Sequence, residues 1–421
     1  MTIKVVVLGG SGVATPELAE ALHQISGRTQ AVELALVGRS AEKLEKVAAA
    51  ARYLAGKDAL LSVSATTDLE AALSGADYVL NQMRIGGLEA RVFDETFPNE
   101  LGIPGEETTG PGGFANAVRT IPVVLEYARK CEQICPAALM VSFTNPSSLV
   151  QYAITRTTRL QTIGLCDVPV TMKENISRAL GVPEEELRID YVGMHHFGWV
   201  NGIWRGEQDL LPEALANAGQ ITPEVEPALV QAYGAIPCAY FGYFFHPERM
   251  LAKKLGKRTR AAELLELQEE ILSEYQSLAQ AEAQGPGANR PAALAKRKAK
   301  WYRVIIAPVL AALIETGRGG SAQSYRFVIN LVNGTTVPWL PPDAIVEVPA
   351  EIRDGNITAL PVRLLPEDVI EKMRTNCLYE RMAVEAIISG DRALALRALL
   401  LNPMIHTYDQ AAQVLERAWP R

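Results

Sequence analysis

Cys166, in the string LCDVP (165–169), and His196, in MHHFGW (194–199), offer a soft thiolate and an imidazole thirty positions apart. Such a pair is metal-ligand chemistry, and donor softness alone suggests Zn2+. Each residue also has an ordinary structural explanation, since a free cysteine is commonly a small buried core residue and a histidine a satisfied core group. The setting raises the pair above that. Gly10 and Gly12 follow the apolar run KVVVL (4–8), providing the tight turn and close backbone approach that a pyrophosphate needs at a helix N-terminus. Thr15 replaces the third glycine of the usual fingerprint, so the turn alone also fits a plain strand–turn–helix. The next strand ends in Gly38-Arg39-Ser40, where a NAD site carries an acid for the ribose 2′-OH. A guanidinium beside a hydroxyl suits a 2′-phosphate, so NADP stands next to NAD, unless Arg39 stacks on adenine or faces solvent. The combination points to a nicotinamide and a divalent metal acting on one substrate.

The elements that must position these groups alternate strand and helix over the first ~165 residues. KVVVL, ELALVG (33–38), DYVLNQ (77–82), ALMVSF (138–143) and QTIGL (161–165) read as buried parallel strands. TPELAEALHQI reads as a helix with Thr15 as cap, Pro16 at its first position and Glu17 favouring the dipole. The expected fold is α/β: a Rossmann-like doubly wound parallel sheet over 1–165, then an α+β substrate and metal domain over 166–421. The long Gly-rich loop GIPGEETTGPGGF (102–114) between two helices is expected to be functional. Residues 261–284 and 366–418 read as helices, and the basic segment 285–300 as a mobile surface stretch.

At 421 residues, two lobes are expected. A net charge of −7 argues against nucleic acid as a partner, because phosphate binding calls for a basic face. Five cysteines without framework spacing fit a reducing compartment, and MTIKVVVLGG runs into a strand without a leader's cleavage region. VIIAPVLAALI (304–314) is too short to span a bilayer. The expectation is a cytoplasmic enzyme without membrane or nucleic-acid partners.

Seven strings, in order, resemble glycoside hydrolase family 4, the NAD- and metal-dependent phospho-glycosidases. They are GGSGVATPEL (9–18), NQMRIGGLEAR (81–91), GEETTGPGGF (105–114), FTNPSS (143–148), LCDVP (165–169), MHHFGW (194–199) and LPPDAIVEVP (340–349). The resemblance implies glycoside hydrolysis by transient oxidation at C3 of the sugar. The ketone acidifies C2–H, a base removes that proton, and the aglycone leaves from C1 by elimination. Water then adds and C3 is reduced again, so the cofactor is regenerated. A metal on the C2 and C3 oxygens stabilises the enolate.

Carried over by position, the resemblance makes Cys166 and His196 the metal ligands, with Mn2+ the expected ion. It makes Asn145 a sugar-hydroxyl contact and Arg84 a contact to the 6-phosphate or a nearby oxygen. His195, where the family usually has Asn, is read as a substrate-binding or ligand-orienting residue. Tyr240 in PCAYFGYFF (237–245) is the first choice of C2 base and Tyr243 the second. Asp167 is the acid for the leaving oxygen, with Glu107 as the alternative. Arg91 and Arg119 are weaker candidates for the contact given to Arg84, read rather as helix-surface or ion-pair residues. A sugar phosphate is the implied substrate, and a homodimer or homotetramer the implied assembly. Asp167 and HHFGW lean towards the α-glycoside branch, and NQMRIGGLEAR and PCAY towards β, which leaves the anomer and the need for a 6-phosphate open. A 6-phospho-β-glucosidase leads. The rivals are a 6-phospho-α-glucosidase, an enzyme for unphosphorylated or uronic sugars, a hydroxy-acid-type dehydrogenase, and a silent nucleotide-binding protein.

Overall fold

The computed structural model describes residues 2–25, 29–282, 290–317 and 323–419. Six strands pair in parallel: β1 (Ile3–Leu8), β2 (Val32–Val37), β3 (Leu61–Thr66), β4 (Tyr78–Asn81), β5 (Leu139–Ser142) and β6 (Thr162–Gly164). Their order across the sheet is β3-β2-β1-β4-β5-β6. Between them run α1 (Pro16–Gln24), α2 (Ala41–Ala55), α3 (Leu69–Leu73), α4 (Gly87–Thr96), α5 (Gly110–Ile134) and α6 (Ser147–Thr157), and α7 (Val168–Leu180) follows β6. This is the doubly wound order: the strand succession reverses between β1 and β4, and that switch opens a crevice at their carboxyl ends. The expected α/β Rossmann-like fold is therefore present.

The unbroken apolar run of β1 follows from burial on both faces. Val6 and Leu8 pack towards Phe114 and Ile121 of α5. Val5 and Val7 pack the other way, against Leu18 and Leu22 of α1.

The same sheet continues into the second half. β7 (Leu187–Met194), β8 (Phe197–Arg205), β9 (Gln208–Asp209), β10 (Ile236–Pro237), β11 (Ser324–Val332), β12 (Ile345–Arg353) and β13 (Asn356–Ala359) complete thirteen strands among the described residues. β11 joins β6 antiparallel at Asn330 and Gly164, and β12, β7, β8 and β10 follow outward. A separate apolar core forms there around Trp199, Tyr191, Phe241 and Val346. No described helix is long and apolar enough to cross a membrane.

Three local expectations change. Thr15 does not cap α1; its hydroxyl instead accepts from Gln82 Nε2 at 2.9 Å, tying the first turn to β4. The Gly-rich stretch is a loop only as far as Thr109, because α5 begins at Gly110. Of the basic segment 285–300, residues 285–289 lie outside the described residues, while Ala292–Arg297 is helical and buries Ala293 and Leu294. Burial of these two apolar residues in the cluster with Ile271 and Tyr275 anchors that turn despite its basic neighbours.

Candidate active site

Cys166 directly follows Leu165 at the end of β6, and Asn145 lies just past β5, so both stand at the carboxyl edge of the sheet. His195 and His196 are the two residues between β7 and β8, whose last paired residues are Met194 and Phe197. His196 has φ +60°, a left-handed conformation uncommon for a non-glycine residue and typical of a tight turn. The hairpin tip meets the sheet edge. One ligand atom each from Cys166, His195 and His196 falls within 4.8 Å of the others, and all three residues are buried. Three nitrogen and sulfur donors gathered away from water fit a divalent metal.

Hydrogen bonds orient the imidazoles. His196 Nδ1 meets Thr108 Oγ1 at 2.8 Å, and that hydroxyl donates onward to Glu106. The chain of bonds places the proton on Nδ1 and leaves Nε2 free as a ligand. Burial, then His195, pushes His196 well below its usual range, so the ring is neutral. Burial also pushes the Cys166 thiol well up, with Glu347 and Asp167 adding to the effect. A bound cation opposes that shift, so metal binding here releases a proton.

At the other end of the crevice, Gly9 has φ +81° and a side chain there would meet Gln82 O at 3.0 Å. A Cβ on Gly10 would lie 2.7 Å from Val37 N. The turn is therefore pressed between β2 and β4, while Gly12 sits exposed at its tip with more room. Ser40 caps α2 by accepting from Lys43 N at 3.3 Å, and Arg39 is exposed beside it at the end of β2. Such a turn fits a pyrophosphate.

The model for family 4 glycosyl hydrolases matches residues 4–182, and the model for their C-terminal domain matches 191–405. This chain belongs to glycosyl hydrolase family 4. It is 31% identical to a probable 6-phospho-beta-glucosidase of Bacillus subtilis (strain 168), over 98% of this chain and 95% of that protein. It is 26% identical to a maltose-6'-phosphate glucosidase of the same strain, over 99% and 94%. The 6-phospho-beta glucosidase of Thermotoga maritima, solved with manganese, NAD+ and glucose-6-phosphate, aligns with a TM-score of 0.87 at 27% identity, covering 99% of this chain and 97% of that one.

Within this family 4 chain, other expected residues gather near the metal donors. The ring of Tyr240 stacks on His196 with centroids 3.7 Å apart, and Tyr243 lies 6.0 Å beyond Tyr240. Burial, with Glu106 and Cys166, pushes the Tyr240 phenol well above its usual range. Asp167 heads α7 without spending its carboxylate as a cap, and burial raises it too, against the pull of Lys300. Asn145 Oδ1 lies 3.0 Å from His195 Nε2. Arg84 pairs with Glu107, which also holds Arg91 at 2.9 Å. Burial pushes Glu107 up, but Arg84 and Arg91 together outweigh it and hold the carboxylate ionised. Glu107 is thus held ionised between two guanidiniums, which does not suit its alternative role as proton donor. Of the two alternatives open for Arg91 and Arg119, helix surface or ion pair, both form ion pairs, Arg91 with Glu95 and Arg119 with Asp94 at 2.6 Å.

Sequence reasoning missed Glu347. It is fully buried on β12, accepts from Tyr191 Oη and from Asn330 Nδ2 at 3.0 Å, and lies 3.9 Å from His195 Nδ1. The Tyr191 phenol reaches it across Gly198, where a Cβ would sit 1.8 Å from the hydroxyl. The signal was an acid set between Val346 and Val348 in the otherwise apolar start of the strand IVEVPAEIR. Thr108 was also missed; a hydroxyl in a loop carries no sign that it will meet a histidine 88 positions away.

Proposed function

We propose that this family 4 enzyme hydrolyses 6-phospho-β-glucosides, using NAD and Mn2+. The observation that carries the reading is the cluster at the sheet edge: Cys166 and His196 together, Asp167 next to the thiol, and Tyr240 stacked on the imidazole. The relatives named for phospho-glucosidase activity support it. When bound, the nicotinamide supplies reversible oxidation at C3 of the sugar, and the metal supplies Lewis acidity to the neighbouring oxygens.

The protein's own residues then have defined tasks. Cys166 and His196 hold the metal, and Gly10, Gly12, Arg39 and Ser40 border the cofactor. Tyr240 takes the C2 proton at its phenolic oxygen. Burial and negative neighbours work against that role, and a cation held by the adjacent ligands works for it. Asp167, kept protonated more readily by burial, donates to the leaving oxygen at C1. Asn145 contacts a sugar hydroxyl, and the partly exposed fork of Arg84 contacts the phosphate end. The substrate domain is residues 166–421, and the working assembly is a dimer or tetramer.

A 6-phospho-α-glucoside is the second reading, favoured by Asp167 after the metal cysteine. One panel separates the two: nitrophenyl α- and β-glucosides, with and without 6-phosphate, given NAD+ or NADP+ and Mn2+ under reducing conditions. Nitrophenol release from the β-6-phosphate that needs both additives, without net NADH, together with deuterium uptake at C2, is the expected result. Release that persists after nicotinamide is removed overturns the mechanism.

A further inference from the structure

We propose that His195 is a third protein ligand of the metal, so that this chain holds its ion through one thiolate and two imidazoles. The proposal rests on the reading of Cys166 and His196 as ligands and replaces the expectation that His195 contacts sugar.

Three observations lead to it. A ring nitrogen of His195 lies in the same buried 4.8 Å cluster as the donors of Cys166 and His196. Its Nδ1 is buried without a hydrogen-bond partner, and Glu347 Oε1 at 3.9 Å is too far to be one. Its Nε2 is engaged, at 3.0 Å from Asn145 Oδ1. An amide oxygen only accepts, so the ring proton sits on Nε2 and the lone pair on Nδ1. A buried lone pair left unmatched costs free energy, and a cation at Nδ1 removes that cost.

Charge points the same way. Glu347 stands beside Nδ1, where its field favours a cation next to that nitrogen. A histidine in place of the family's usual Asn also makes the donor set softer. It shifts preference towards Zn2+ or Co2+ relative to Mn2+.

The test counts imidazoles. The full-length protein is stripped with chelator, loaded with Zn2+ alone, and examined by X-ray absorption at the zinc edge, with affinities from chelator competition. One sulfur and two imidazoles are expected in the parent and one imidazole in His195→Asn. Losing an orienting partner already costs roughly 10–100-fold in metal affinity, so losing a ligand should cost at least ~10-fold and lower the Zn2+-to-Mn2+ ratio. One imidazole in the parent overturns the proposal whether or not the variant folds, and so does unchanged affinity in a folded His195→Asn. If Cys166→Ser weakens binding and His195→Asn does not, only the third ligand is refuted. If neither does, the metal reading above falls with it.

Discussion

Glu380, on the helix Glu367–Ser389, is 7% exposed and accepts from Ser148 Oγ at 2.9 Å and Asn376 Nδ2 at 3.3 Å. Burial pushes its carboxyl from an ordinary 4.5 up to about 8, more than those two neutral donors pull it back. The folded protein therefore keeps a proton that the unfolded chain has released. Below pH 4.5 both states are protonated and the group costs nothing. As pH rises from there to about 8, stability falls by about 1.4 kcal/mol per pH unit, a total of roughly 5 kcal/mol. Glu380→Gln keeps the shape and cannot ionise, so it should lack this slope. Urea unfolding followed by tryptophan fluorescence, at about pH 5 and about pH 8.5, compares parent and variant and cancels every other titrating group. The two should lie within ~1 kcal/mol of each other at the lower pH, where only hydrogen-bond geometry differs. At the higher pH the variant should be more stable by several kcal/mol. Parallel pH dependences would show that the carboxyl is not protonated in the fold, and the argument from burial would fail.

Four further outcomes are expected. Asp167→Asn should slow alkyl glycosides about 10²–10⁴-fold but nitrophenyl glycosides much less, since nitrophenolate leaves without a proton; equal losses would remove Asp167 from the acid role. Thr108→Val deprives His196 Nδ1 of its partner and should weaken metal binding about 10–100-fold by chelator competition, with the far-ultraviolet spectrum unchanged. Gly10→Ala places a methyl 2.7 Å from Val37 N, so it should cost about 1–3 kcal/mol of stability and reduce NAD+ affinity in calorimetric titration. Chelation should abolish glycoside cleavage, and Mn2+ should restore it; activity that survives chelation would exclude the metal from the reaction.

The parallel half of the fold was readable because its strands are buried on both faces, which forces continuous apolar runs such as KVVVL between helices with a polar side. Gly10 was legible for a similar reason, as close contact between strands allows no side chain there. Cys166 and His196 stood out by residue type, whereas Asp167, Asn145 and Tyr240 were legible only because the short strings around them resemble family 4.

Other features depended on partners remote in the chain. Whether Arg84 and Glu107 would be separate tools or one ion pair was settled by the fold, which set their side chains together across 23 positions. The pairing of Thr108 with His196, and of Glu347 with Tyr191 and Asn330, also exists only because antiparallel strands from the second half extend the first sheet. Local sequence thus set the strands, the turn and the reactive residue types, because those depend on neighbours within a few positions. Tertiary structure alone decided protonation, pairing and the free nitrogen of His195, because burial and charge arise from groups that only folding brings together.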